Sequence, residues 1–265
     1  MVGRSGTAVV LDVSSGWVLA AYNLQVAARQ LARPGSAIKP FTLLALLQSG
    51  KLRSTDSLVC RRHLHVGRHD LSCSHPSTGP LQAASALAYS CNDFFATFGL
   101  RLTADDLRAA FTKAGFASPT GLVSNEAIGF IRLARNDEER QLQSIGEEDI
   151  RVTPLEMLAA YRNLALRRSA NDTNDGERTV FTGLEDSTDY GMARLASVEG
   201  MKVAGKTGTA RTDHGSWTNA WFSGYAPADK PEIALVVFLE KGVGPSDAAF
   251  LAGEIFRAWN SGKKR

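Results

Sequence analysis

Nothing in this chain approaches the roughly 18 to 20 continuous apolar residues that a membrane-spanning helix requires, and the opening Met1-Val2-Gly3-Arg4 lacks the apolar core of a signal peptide. Long basic runs and basic helices are missing too. The formal charge of +3 is the balance of an ordinary solvated surface and gives nucleic-acid binding no support. No segment repeats another. The chain therefore reads as soluble, and 265 residues that are 44% hydrophobic are enough for a large core, in one big domain or two small ones.

Cysteine is scarce, with three residues unevenly placed. Cys60 and Cys73 lie symmetrically about Val66-Gly67, so a two-residue turn there would set their sulfurs opposite each other on neighbouring strands. A disulfide in an oxidising compartment and a pair of free thiols in a longer loop both remain open. Cys91 reads as a small buried filler. Four of the five histidines, His63, His65, His69 and His75, share this stretch, and such density raises zinc. The spacing matches no common structural zinc pattern, and alternation along strands would turn the side chains to both faces. They read as solvated hairpin residues, with no metal and no cofactor expected.

Residues 7–13 and 17–22 are β-rich runs joined by Ser14-Ser15-Gly16, an antiparallel hairpin. Residues 201–210, 219–225 and 233–240 read as three more strands, and Leu251, Ile255 and Trp259 place an apolar stripe on a closing helix. Between Pro40 and about residue 170 the pattern is mainly helical. Thr153-Pro154-Leu155-Glu156 is a capping box with proline at the first helical position, and residues 81–89 and 93–100 read as helical pieces flanking Ser90-Cys91-Asn92. Residues 167–178 read as a mobile loop and the acidic residues 137–149 as a solvated face. The expected fold is mixed α/β of the α+β type. An antiparallel sheet is built from both chain ends (residues 1–35 and 200–265) and covered by helices, with a mainly helical region inserted and a cleft between the two.

Three short motifs carry chemistry: Ser36-Ala-Ile-Lys39, Ser90-Cys91-Asn92 and Lys206-Thr207-Gly208-Thr209. They supply a hydroxyl nucleophile, an amine to deprotonate it, polar groups to orient an amide, and a cation with hydroxyls for a carboxylate. Ser36 should open a helix with Lys39 on the same face. The lysine accepts a proton only when neutral, so burial or a second cation, for which Lys206 is the candidate, must pull its pKa down. Ser90 would relay a proton, and the Asn92 amide would donate to a substrate carbonyl. Gly208 would let a substrate backbone approach the strand, and Lys206, Thr207 and Thr209 would hold its carboxylate. Each motif alone has a plain structural explanation: a capping serine with a snorkelling lysine, a polar helix–helix turn, a surface strand. Pro40 is tolerable only near a helix start.

The order and wording of these motifs, together with residues 7–22, Arg33-Pro34-Gly35-Ser36, residues 152–155 and residues 219–227, resemble the penicillin-binding transpeptidase family, part of the serine superfamily that includes the serine β-lactamases. The resemblance spans nearly the whole chain. It implies a Ser36 acyl-enzyme formed from a peptidoglycan stem ending in D-alanyl-D-alanine, with an oxyanion hole made by the backbone N–H groups of Ser36 and Thr209. It also implies covalent inhibition by β-lactams, an extracytoplasmic location, cell-wall synthesis proteins as partners, and a catalytic domain excised from an upstream membrane anchor. A D,D-carboxypeptidase, a serine β-lactamase and a β-lactam sensor or scaffold are the rival readings. Against the β-lactamases, no Glu-x-x-Leu-Asn segment is present and Tyr89 sits one place too early for a Tyr-x-Asn motif. A carboxylated Lys39 stays open. Departures from the family are the consecutive acids Glu147-Glu148-Asp149 and the short stretch before Ser36.

Overall fold

The computed structural model describes residues 4–170, 172–213 and 215–263; Met1, Val2 and Gly3 and, within the 167–178 segment, Asn171 lie outside them. Both chain ends enter one five-stranded antiparallel sheet. Strands β1 (Gly6–Asp12) and β2 (Val18–Tyr22) form the expected hairpin, and β9 (Ala204–Arg211), β10 (Thr218–Ala226) and β11 (Ile233–Leu239) complete the order β2-β1-β11-β10-β9. The first strand thus pairs with the last, Gly6 opposite Leu239 and Asp12 opposite Ile233.

The middle strand β11 is apolar throughout because both faces of the sheet are covered. Val9, Leu11, Val236 and Phe238 face the helical body, while Ala8, Val10, Leu235 and Val237 face the closing helix α9 (Ala249–Gly262). On α9 the buried side is Ala249, Ala252, Gly253 and Phe256, whereas Leu251, Ile255 and Trp259 are only half-buried at its flank. The expected stripe is therefore the shoulder of the contact, since small residues let the helix approach the sheet closely.

The inserted region holds α1 (Leu24–Arg29), α2 (Lys39–Gln48), α3 (Ala83–Ala88), α4 (Asn92–Gly99), α5 (Ala104–Lys113), α6 (Asp137–Ser144), α7 (Pro154–Arg168) and α8 (Asp175–Asp189). Short pairings β3 (Ser57–Leu58) with β6 (Leu81–Gln82), β4 (His63–Val66) with β5 (His69–Ser72), and β7 (Phe130–Ile131) with β8 (Ile150–Arg151) tie its loops together. The Thr153 capping box is formed: Thr153 Oγ1 accepts from Glu156 N at 3.1 Å, and the Glu156 carboxylate accepts from Thr153 N at 2.7 Å.

The 167–178 segment differs from the sequence reading. Arg167 and Arg168 end α7, and a second capping box, Asn174 with Glu177, starts α8. Arg167 pairs with Glu177, which shortens the connection to a few residues. The acidic 137–149 stretch is also not wholly solvated, because Gln143 and Ser144 are buried and Ser144 Oγ donates to Phe95 O at 3.1 Å. Among the described residues no helix is long and apolar enough to cross a membrane.

Candidate active site

Ser36 lies in a single 3₁₀ turn, Gly35–Ile38, that runs directly into α2. Because the α-helix proper begins at Lys39, Pro40 falls in its first turn, where no backbone donor is missed. The turn is held from every side. Trp221 Nε1 donates to Arg33 O at 2.9 Å and Tyr161 Oη donates to Ala37 O at 2.9 Å, both from fully buried rings. Gly35 has φ +51°, a conformation only glycine takes without strain, and its N–H reaches Gly146 O at 3.0 Å.

Strand β9 packs against this turn. A Cβ on Gly208 would stand 2.5 Å from Pro34 O and 3.0 Å from Ala37 N. The missing side chain therefore serves the contact between β9 and the nucleophile turn, and the sequence reading of Gly208 as a gap for substrate backbone is corrected on that point. It also fixes the distance between the first and third motifs.

The second motif sits where α3 passes into α4. Ser90 is left-handed at φ +57°, a cost of about 1 kcal/mol or more for a residue with a Cβ. This bend aims its side chain at two buried amines. Lys206 Nζ donates to Ser90 Oγ at 2.8 Å and to Thr207 O at 3.0 Å. Lys39 Nζ donates to Ser90 O at 2.8 Å and to Asn92 Oδ1 at 2.6 Å, with Ser90 Oγ at 3.4 Å. Burial lowers Lys39 to about 8. Burial also pushes Lys206 well below the usual lysine range, and the charge of Lys39 adds to that. Of the two causes the sequence offered, burial or a second cation, desolvation is the main one at both sites, and the charge of Lys39 adds to it only at Lys206.

Asn92 is already engaged at both ends, its Nδ2 donating to Ser72 O at 3.0 Å, which leaves one amide N–H for a ligand. Thr207 is buried on the strand face opposite Lys206, and Thr209 Oγ1 accepts from Gly244 N at 2.9 Å. The hydroxyls and Lys206 thus do not share one face, contrary to the simplest reading of the motif. Sequence reasoning gave no role to Arg33 and Arg151, which both reach Asp213 (2.9 and 2.5 Å), and marked Glu147 only as one of three consecutive acids; burial raises its carboxyl, against the nearby charges of Arg211, Arg33 and Lys39. The signal for Glu147 was its place one residue after Gly146, whose φ of +80° sets it against Gly35.

The hairpin reading is corrected in register. The turn is Gly67-Arg68, with Val66 opposite His69, so Cys73 N pairs with Arg62 O at 2.8 Å and Cys60 is not opposite Cys73. No disulfide forms: Cys60, Cys73 and Cys91 are free thiols. They nevertheless converge. Cys73 Sγ and Cys91 Sγ are 3.9 Å apart, and ligand atoms of Cys60, Cys73, His75 and Cys91 all lie within 4.8 Å of one another. His63 and His65 are solvated as expected, but His75 is only 1% exposed. Cys91 is more than filler, because its Sγ caps α4 by accepting from Phe94 N at 3.4 Å.

The transpeptidase-domain model of penicillin-binding proteins matches residues 6–260. Stage V sporulation protein D of Bacillus subtilis is 26% identical over 278 residues, covering 89% of this chain and 43% of that protein. The peptidoglycan D,D-transpeptidase FtsI of Escherichia coli is also 26% identical, over 89% of this chain and 47% of its own length. The chain thus spans about half the length of the curated relatives it matches. Among solved structures, PBP2 of Pseudomonas aeruginosa in complex with WCK 5153 superposes with a TM-score of 0.85 at 22% identity, over 97% of this chain and 74% of that one, and shares the fold. A family match across almost every described residue, with Lys39 and Lys206 meeting at Ser90, makes this chain a member of the penicillin-binding protein transpeptidase domain family.

Proposed function

We propose that this domain is a serine D,D-transpeptidase that acts on peptidoglycan stem peptides ending in D-alanyl-D-alanine and is inhibited by β-lactams. The observation that carries the reading is the convergence of two buried, pKa-lowered amines on Ser90 Oγ, next to the clamped turn that holds Ser36. A neutral lysine has two N–H groups and one lone pair. Lys39 uses two donors on Ser90 O and Asn92 Oδ1, which leaves the lone pair for the Ser36 proton.

Ser36 Oγ then attacks the penultimate carbonyl carbon. The oxyanion is received by the backbone N–H groups of Ser36 and Thr209, a reading supported by the close packing of the Gly35 turn on β9. The proton returns through Ser90, held by Lys206, to the nitrogen of the departing D-alanine. An acceptor amine reverses these steps and releases Ser36. The charge of Lys206 attracts the terminal carboxylate, and the free N–H of Asn92 meets the peptide carbonyl. Carboxylation of Lys39, one β-lactamase route, would require breaking its contacts to Ser90 and Asn92.

The reading places the domain outside the cytoplasmic membrane, among cell-wall synthesis proteins. One such pairing is known for a fold relative, PBP2 of Helicobacter pylori, solved in complex with MreC. The test is intact mass after incubation with a penicillin, for the wild type and Ser36→Ala, followed by turnover of a D-alanyl-D-alanine substrate with an added amine. A persistent one-to-one adduct absent from Ser36→Ala, with amine transfer, is expected. Rapid antibiotic loss without an adduct would make it a β-lactamase. An adduct without any turnover would make it a sensor, and neither adduct nor turnover would end the catalytic reading.

A further inference from the structure

We infer that Cys60, Cys73, His75 and Cys91 form a tetrahedral zinc site that fastens the β4–β5 hairpin to the Ser90-Cys91-Asn92 motif. Four donors of the zinc-preferred kinds, three thiolates and one imidazole, stand with their ligand atoms within 4.8 Å of one another. Two sulfurs on one zinc at Zn–S of about 2.3 Å in tetrahedral geometry lie about 3.8 Å apart, and Cys73 Sγ and Cys91 Sγ are separated by 3.9 Å.

The imidazole is poised as a ligand. His75 Nδ1 pairs with Pro76 O at 2.8 Å, so that nitrogen carries the proton and Nε2 keeps its lone pair. His75 Nε2 is buried and has no hydrogen-bond partner, although burying an unpaired polar nitrogen costs about 1 to 3 kcal/mol. A metal on Nε2 removes that cost.

Each sulfur also has a backbone donor suited to a thiolate: Arg62 N–H to Cys60 at 3.3 Å, Phe94 N–H to Cys91 at 3.4 Å, and Asp93 N–H to Cys73. Asp93, buried at the start of α4, accepts from Arg61 N at 2.7 Å and pairs with the Arg61 guanidinium, which holds the Cys60 segment against Cys91. Soft thiolates in tetrahedral array select zinc over magnesium or calcium. Binding releases the protons of whichever thiols are still protonated, with no change in oxidation state.

The placement of Cys91 gives the site its consequence. Its neighbours Ser90 and Asn92 are the groups that receive the Lys39 amine, so a metal on Cys91 fixes the second motif against the nucleophile. That consequence rests on the catalytic reading above, whereas the presence of zinc does not.

The purified domain should carry about one zinc ion per chain by plasma mass spectrometry. Reconstitution of the chelated protein with cobalt(II) should give thiolate-to-cobalt charge transfer and the intense visible bands of a tetrahedral ion. Cys60→Ser and His75→Ala should each lose most of the metal, while His65→Ala, at the exposed hairpin, should keep it. Chelation should lower Tm and slow penicillin acylation by about tenfold or more. A metal-free protein that takes up neither zinc nor cobalt would overturn the inference, as would zinc retained in both ligand variants. If His75→Ala fails to fold, the Cys60→Ser metal content and the wild-type cobalt spectrum decide. Zinc present with acylation unchanged on its removal would overturn the anchoring role alone.

Discussion

Ser90 and Cys91 are adjacent in sequence yet face two pockets of opposite chemistry. Ser90 meets two amines that burial drives toward the neutral state, and Cys91 meets two thiols and an imidazole with the donor set of a metal centre. In the first pocket a proton must be able to move, so the groups are spaced around a shared hydroxyl at 2.8 and 3.4 Å. In the second nothing needs to move, and backbone N–H groups hold the sulfurs still. The difference shows how one bend can join a reactive site to a fixed one: the left-handed Ser90 turns its side chain one way, and the N-cap position of Cys91 turns the next side chain the other.

The sharpest way to separate the two pockets is Lys39→Met. Loss of a general base lowers such rates by about 10² to 10⁴-fold, so penicillin acylation, followed with a fluorescent penicillin, should fall by that factor while bound zinc is unchanged. Acylation by the wild type should rise with pH and reach half its plateau near 8, as Lys39 becomes neutral. Stability carries the same sign. With its folded pKa lowered to about 8 from 10.5, the unfolded chain binds the extra proton between those values, so stability increases with pH across that window. The gain is on the order of 3 kcal/mol, and it should be missing from denaturant titrations of Lys39→Met.

A smaller effect is expected from Gly208→Ala. Its methyl group would press on Pro34 O and Ala37 N and displace the nucleophile turn. Misplacement of about 1 Å costs on the order of 10²-fold, so acylation should fall by about that much, again with zinc retained. Unaltered acylation would show that β9 and the turn do not set the Ser36 geometry. The smallest effect tests whether either pocket senses distant stability. Thr153→Ala removes a cap worth about 1 kcal/mol and should lower the denaturation midpoint while leaving acylation rate and metal content as they were.

The sheet and α7 were legible in the sequence because their causes are local. Seven consecutive buried residues in β11 declare a strand covered on both faces, and Thr153 with Glu156 declares a helix start. The candidate catalytic residues were legible as three motifs, though not their arrangement. Thr207 turns away from Lys206 by ordinary strand alternation, whereas the packing of Gly208 on Pro34 depends on how β9 meets a turn some 170 residues earlier. The thiol cluster was obscured for the same reason. The hairpin slipped by one position relative to the symmetry of Cys60 and Cys73, and the third sulfur comes from the cap of a helix, a place no spacing rule between the first two could mark.

One feature of the sheet reaches beyond catalysis to how the protein is made. Because β1 lies between β2 and β11, one of its edges finds a neighbour as soon as the first hairpin exists, while the other waits for the last strand. Contacts of such long sequence separation form slowly. During synthesis one edge of β1 therefore stays open until residues 233–239 have emerged. Until then the five-stranded order that sets Lys206 beside the helical body is incomplete.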